Sequence, residues 1–340
     1  MVIAEVFELE PRKAIEKIAA IYISLHNLFD KGAREPVYSF KTVFTFNDKE
    51  EKSMKILGIV ASHRQLGNTE ILVKEALMGA EEDGAEVEII RWTDYKILPC
   101  DGLATCLFSA KGCIQKDKDD HNFLMEKIFA SDGVVFGSPV YLKEATAIVK
   151  QFIDRLFILT SHPSGARGKP AVIIMPYATR GWTQYAFLQP NILLSMLGMK
   201  IIDRALIHTQ GMSEAITHPE GLDRVRGMGK LVATAIKTGD TSYRGEPGVC
   251  PCCHDRLIRI HRDNETVECG TCALTGKLTI ENGKIKVHFS EEQVDWLISG
   301  KSGHAAYEII PSKDYFRMLH PLLREGRDKY RQYLPTNREP

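Results

Sequence analysis

The chain has 340 residues, with 44 Lys+Arg against 44 Asp+Glu and 44% hydrophobic residues. That is enough for one core of ordinary size and a smaller module, so two domains are the starting expectation, and the mix of charged and apolar residues excludes a disordered or fibrous chain. Zero formal net charge supplies no bulk attraction to nucleic acid or an anionic bilayer, and no apolar run approaches the ~20 residues that span a membrane.

Glu5, Glu8 and Glu10 stand where a secretory leader would place Lys or Arg, which points to a cytoplasmic location. Next, Ala14–Phe29 is apolar at Ile15, Ile18, Tyr22, Leu25 and Phe29, a helical stripe that covers the chain's own sheet or reaches a second subunit. Residues 55–240 then alternate between strand and helix patterns. The apolar runs Ile56–Val60, Val87–Ile90, Val134–Phe136, Ala171–Met175 and Ile201–Ile207 are separated by helical periodicities such as Leu72, Val73, Ala76, Leu77 and Ala80. Such alternation predicts a doubly wound, five-stranded parallel sheet covered on both faces.

Three strand ends carry loops suited to a ligand. The first strand runs into Ser62-His-Arg-Gln-Leu-Gly-Asn-Thr69 and then a helix, an arrangement that offers backbone N–H groups, a helix dipole and Arg64 to a phosphate. It lacks both Gly-x-Gly-x-x-Gly and Gly-Lys-Ser/Thr, which disfavours a Rossmann dinucleotide site or a P-loop; an ordinary N-cap at Asn68 or Thr69 is the alternative. The third strand ends in Phe136-Gly-Ser-Pro-Val-Tyr141, a rigid turn that can approach a flat ring, and the fourth in Tyr177-Ala-Thr-Arg-Gly-Trp182. In an open parallel sheet these loops meet at the carboxyl edge.

Tyr243–Gly248 reads as a Gly/Pro-marked linker. Beyond it, Cys250-x-x-Cys253, fifteen residues and Cys269-x-x-Cys272 fit a tetrahedral four-thiolate site of the zinc-ribbon type. Zn and Fe both accept four thiolates, so spacing does not choose between them, and Cys252 and His254 leave room for a one-residue slip in ligand choice. Short strands are expected at Arg256–Ile260, Thr266–Glu268, Lys277–Ile280 and Lys284–Phe289, with turns at Asp263-Asn264 and Asn282-Gly283. An amphipathic segment near Tyr315–Tyr333 follows, within a basic, aromatic tail from Lys313 to Arg338. The expected divisions are an N-terminal helical extension (1–53), the parallel-sheet domain (54–242), a small metal module (243–300) and a C-terminal extension (301–340).

Ser62-x-Arg64-x-x-Gly67-Asn68-Thr69, Gly137-Ser-Pro-Val-Tyr141, Phe152-Ile-Asp-Arg155 and the cysteine segment Pro99–Asp120 together resemble the NADPH-dependent FMN reductase-like branch of the flavodoxin-like flavoproteins, and most closely the iron–sulfur flavoproteins. The resemblance implies a flavodoxin-like strand order, bound FMN, and a homodimer or homotetramer. It implies phosphate contacts from Ser62, Arg64, Gly67, Asn68 and Thr69, ring contacts from Ser138, Pro139, Val140 and Tyr141, and further cofactor contacts from Ala178, Thr179, Arg180 and Gly181. Arg180 pointing inward would stabilise charge on a reduced flavin; a surface role is the alternative. Asp154 and Arg155 can equally be a solvated helix face and carry no assigned chemistry.

The family's compact run of four cysteines is incomplete here: Cys100, Cys106 and Cys113 are present, but Leu103 stands in the second position. This excludes a four-thiolate cluster supplied by the segment alone and leaves a three-cysteine cluster, a cluster completed by Asp101 or another segment, or none, the last being favoured because losing one of four ligands removes the site. Asp119-Asp120 reads as a loop-to-helix junction.

The function that follows is an FMN-dependent oxidoreductase passing electrons from NAD(P)H to a small-molecule or protein acceptor. Alternatives are an iron-containing electron carrier, or a zinc-ribbon regulatory or nucleic-acid-binding protein on a flavin-binding scaffold. No catalytic residue is apparent from spacing, although Tyr141, His63 and His162 are conceivable proton donors.

Overall fold

The computed structural model describes residues 53–107, 112–160 and 164–290, with positions 292–293, 317–319, 321 and 327 beyond them. The expected helix Ala14–Phe29, His162 and most of the C-terminal extension, including the bulk of Tyr315–Tyr333 and of the tail Lys313–Arg338, lie outside the described residues. Among the described residues no helix is long and apolar enough to cross a membrane.

Five strands form the main sheet: β1 (Lys55–Val60), β2 (Glu86–Arg91), β3 (Gly133–Gly137), β4 (Pro170–Tyr177) and β5 (Lys200–His208). All adjacent pairs are parallel, and the spatial order is β2-β1-β3-β4-β5, that of a flavodoxin-like doubly wound sheet. Every residue of β3 is buried, as expected for a central strand covered on both faces, whereas β2 at one edge is largely exposed.

Alternate residues of the strands feed two separate cores. Ile56, Val60, Val135, Val172 and Ile174 pack with helices α1 (Asn68–Glu82) and α5 (Pro219–Thr238). Leu57, Ile59, Phe136, Ile173 and Met175 pack with α2 (His121–Ala130), α3 (Ala147–Ile153) and α4 (Leu188–Met196). On the first face the helices cross at glycines: a Cβ on Gly229 would lie 1.7 Å from the carbonyl oxygen of Ala76, and one on Gly79 2.1 Å from that of Arg226. Only residues without side chains permit this approach, and larger ones would force α1 and α5 apart. On the second face Trp92 is fully buried, stacked on Phe152 at 4.3 Å and edge-on to Phe136 at 5.7 Å.

The C-terminal module is a four-stranded antiparallel sheet, β6 (Ile258–Ile260), β7 (Thr266–Cys269), β8 (Thr275–Glu281) and β9 (Lys284–Phe289), in sequential order. Its two expected hairpin turns are present, with Asn264 at φ 62°, Asn282 at 52° and Gly283 at 74°, the left-handed values tight hairpins require. The segment read as a linker is built into the structure: Arg244 N–H donates to Ile202 O at 2.8 Å, so the chain leaves the core along the edge of β5.

Candidate functional site

The β1–α1 loop turns through Leu66 at φ 50° into α1, whose N-cap is Gly67. No side chain caps this helix, neither Asn68 nor Thr69, so the N–H groups of its first turn stand without the usual side-chain acceptor. Ser62 and Thr69 are buried and Arg64 is exposed. The Asn68 amide is spent elsewhere: its nitrogen donates to Gly211 O at 2.8 Å and its oxygen accepts from Ala215 N–H at 3.0 Å. Ser213 adds a bond to Leu66 O at 2.7 Å. The loop after β5 is thereby pinned onto the β1 loop across more than 140 residues of sequence, a fourth wall that no local pattern announced.

Glu70, also unassigned by sequence, braces the turn by accepting from Leu66 N–H at 2.8 Å, Lys74 at 2.7 Å and Arg91 at 2.7 Å. Burial disfavours its ionisation, but the bonds from Lys74 and Leu66 and the charges of Lys74 and Arg91 outweigh that and hold its pKa below the ordinary carboxylate value. With its carboxylate turned to these partners, Glu70 leaves the helix end to another anion.

The tips of the strands are joined laterally. Ala61 N–H donates to Gly137 O at 2.8 Å, Ser138 N–H to Ile174 O at 3.2 Å, Val140 N–H to Pro176 O at 2.9 Å and Thr209 N–H to Tyr177 O at 2.9 Å. Thr146, buried, clamps the β3 loop by donating to Ala61 O at 2.8 Å while its own N–H reaches Ser138 Oγ at 3.2 Å. At the loop's tip Tyr141 and Glu144 exchange backbone bonds around Leu142 (φ 46°) and Lys143 (φ 79°). Two consecutive left-handed residues with side chains are costly, and such strain concentrates at functional loops. Along the same edge Ala178, Thr179, Arg180 and Gly181 are exposed, with Ala178 O against His208 Nε2 at 3.1 Å. Tyr141, Trp182 and Tyr185 leave 46%, 42% and 41% of their surface open. The structure thus brings the three sequence-identified loops to one edge, where an uncapped helix end meets an aromatic rim, a donor set suited to a phosphate joined to a flat ring. His63 is exposed and makes no bond to these loops that would mark it as a proton donor.

The cysteine segment between β2 and β3 holds a correction. Arg155, which could have been a solvated helix residue, has its side chain 1% exposed and paired with Asp119 at 0%. It also donates to Leu98 O at 3.4 Å and to Cys113 Sγ at 3.5 Å. Asp120 stands at the N-cap position of α2 and Asp119 accepts from His121 N–H at 3.4 Å, so the pair forms the expected loop-to-helix junction, with Asp119 also the buried partner of Arg155. Cys106 has its pKa raised, by burial first and then by the neighbouring Cys113 and Cys100.

In the C-terminal module the sulfurs of Cys250, Cys253, Cys269 and Cys272 all lie within 4.8 Å of one another, and the pairs Cys250–Cys272 and Cys253–Cys269 are each 3.4 Å apart. Cys252 is outside this set, so the two-residue gap is kept. The two knuckles match: His254 N–H donates to Cys250 O and Ala273 N–H to Cys269 O, each at 3.0 Å, and both residues have φ 58°. Crowding makes the thiols compete for charge. Hydrogen bonds from Cys252, Cys253, Cys269 and Cys272 hold Cys250 down, while Cys250 first, then Cys269 and Cys272, push Cys253 up. A dication would let all four ionise, and the donor set fits Zn or Fe in a closed tetrahedral site. The first knuckle also docks on the core, where the His254 ring stacks on Tyr243 at 3.6 Å and its carbonyl accepts from Arg204 of β5.

The family of NADPH-dependent FMN reductases matches residues 54–211. An iron–sulfur flavoprotein of Archaeoglobus fulgidus is 33% identical over 195 residues, 57% of this chain and 84% of that protein. A flavone synthase of Aspergillus candidus is 23% identical over 281 residues, covering 74% of this chain and 86% of that protein. A solved flavone reductase superposes with a TM-score of 0.66 at 24% identity, over 84% of this chain and all of that one, so the likeness in fold reaches beyond the parallel-sheet domain.

Proposed function

The chain belongs to the iron–sulfur flavoprotein family, and from that premise we propose that it is an FMN-dependent oxidoreductase taking reducing equivalents from NAD(P)H and passing them to a small planar, conjugated acceptor. The observation that carries the reading is the convergence of the uncapped α1 end, the strained Tyr141–Glu144 turn and the aromatic rim on one sheet edge.

In this reading the N–H groups at the start of α1, from Gly67 through Thr69, hold the phosphate together with Ser62 and the exposed Arg64. Asn68 contributes its backbone N–H and uses its side chain to hold the 211–215 loop as a wall. Ser138, fixed through Thr146, sets the Pro139–Tyr141 backbone against the ring, and Ala178–Gly181 closes the other side, with Arg180 placing positive charge there. When bound, the flavin supplies reversible hydride acceptance; the protein supplies placement, water exclusion and electrostatics. Tyr141, Trp182 and Tyr185 offer flat apolar surface to a planar acceptor, and the Aspergillus candidus relative is named for a flavone, a molecule of that class. The four thiolates of the C-terminal module hold Zn or Fe in a closed site that stabilises the module. A second subunit at the exposed strand-tip edge would complete a homodimer or homotetramer.

Anaerobic titration of the purified protein with NADH and with NADPH tests the reading. The oxidised flavin absorbance is expected to bleach with at least one of them and to return on adding a flavone or another conjugated carbonyl compound. Flavin that stays oxidised with both refutes the donor, and bleached flavin that no small molecule reoxidises refutes the acceptor.

A further inference from the structure

The family's cluster needs four sulfur ligands, and residue 103 is a leucine with 63% of its surface exposed. Four described neighbours that could replace it, Asp101, Asp119, Asp120 and His121, are already committed. Asp101 accepts from the N–H of Leu103 at 3.0 Å, Asp119 is buried against Arg155 and Leu98 N–H, and Asp120 accepts from Lys96 N–H at 2.8 Å. His121 is 1% exposed, its Nε2 facing Phe152 O at 3.3 Å. Recruiting any of these would break a bond that now shapes the segment.

Protein bonds hold both ends of the segment. Besides the Arg155 contacts, Gln151 donates to Ile97 O at 2.6 Å and Gln115 to Pro99 O at 3.1 Å, and both Cys106 and Cys113 pack against the main core. These bonds tie the residues before Cys100 and after Cys113 to α3 and its C-terminal end. Leu103 itself sits in an exposed turn between Gly102 (φ 72°) and Ala104 (φ 54°), away from every staple.

We propose that the Cys100–Cys113 loop of this chain is stapled by protein bonds in place of an iron–sulfur cluster, and that the residue at 103 alone separates it from a loop able to bind one. The Arg155 guanidinium on Cys113 is the kind of outer donor that supports ligating sulfurs, so the support for a cluster survives although the ligand set does not. Where the proposed FMN chemistry holds, electrons then leave the chain from the flavin without an iron relay in this loop. The metal statement itself stands independently of that reading.

The test is anaerobic incubation of the full-length wild type, Leu103→Cys and Leu103→Ser with ferrous iron and sulfide, followed by desalting and assay of acid-labile sulfide and FMN. Labile sulfide is the discriminating readout, because a lone iron held by the four C-terminal cysteines contains none. The wild type and Leu103→Ser are expected to retain only blank levels, and Leu103→Cys about four sulfides per chain, lost again when Cys106→Ser is added. Labile sulfide in the wild type at the level of Leu103→Cys overturns the proposal, as does a Leu103→Cys protein that takes up none. FMN content, read on the same samples, reports separately on the cofactor reading.

Discussion

In the Cys100–Cys113 loop the thiols lie beside a core that already exists: Cys113 rests on a buried guanidinium, and Cys106 packs against the side of a large apolar cluster. In the C-terminal module the thiols are the core. Cys250, Cys253, Cys269 and Leu274 form its buried cluster, while much of the surface of β8 and β9 is exposed. A sheet of this size buries too little apolar surface to fold alone, so bringing four sulfurs together makes structural sense when a cation holds them. The contrast sets two uses of clustered cysteine side by side: in the proposal, the ends of one loop are held by protein bonds, and the other module is held by its thiolates and a cation.

The sharpest way to break that contrast is to remove the metal. Cys253→Ser, or chelation of the native protein, is expected to abolish hydrogen-exchange protection across β6–β9, since a structural four-thiolate Zn supplies on the order of 10 kcal/mol, and to leave β1, β3 and β4 protected. Retained protection in the module would show that the thiols are not its organising element. In the other region the protein bonds should matter instead. Arg155→Met leaves Asp119 buried without its partner and is expected to cost about 3–5 kcal/mol in denaturant unfolding. It should also raise the reactivity of Cys113 toward thiol reagents; unchanged stability and reactivity would contradict the staple.

Acid tests the same buttress more gently. His121 is pushed from 6.5 to about 4, by burial first and then by the Arg155 charge, with the Phe152 carbonyl and Asp119 opposing. Between about 6.5 and about 4 the unfolded chain binds a proton that the folded chain refuses, so stability falls as pH drops through that window, by roughly 3 kcal/mol in all. His121→Phe is expected to flatten that part of the profile in unfolding midpoints measured against the wild type, and an unaltered slope would contradict it. The smallest effect is expected at the junction. Arg204→Ala should cost about 1–3 kcal/mol by leaving the His254 carbonyl without its donor, and should speed proteolysis between Tyr243 and Gly248.

Much of this was legible in the chain. Continuous apolar runs marked β1, β3 and β4 because central parallel strands are buried on both faces, while β2 and β5 at the edges showed runs broken by Glu88 and by Asp203-Arg204. The paired two-residue gaps marked the metal knuckles because two thiolates on one tight turn need that spacing. Strand order was legible only through the family resemblance, since periodicity does not say which edges pair. The Asn68 bridge to Gly211 and Ala215 was not legible, since it joins residues far apart in sequence. Arg155 was misleading because a charged residue at a helix end is ordinarily solvated. Its signal was positional, as it follows Val149 and Phe152 at helical spacing on the buried side of α3. The left-handed conformations of His254 and Ala273, at positions glycine would fill more cheaply, had no marker beyond the cysteines before them.

The proposed oxidoreductase chemistry depends on the sheet edge serving as a flavin mononucleotide site. Titrating FMN into the FMN-depleted full chain, with flavin fluorescence as the readout, tests it directly. Saturation at a single equivalent per chain is the predicted result, weakened at least tenfold by Arg64→Ala through loss of a charge-assisted phosphate contact of about 1.5–3 kcal/mol. A folded chain that is colourless as purified and leaves the fluorescence of added FMN unchanged would contradict it.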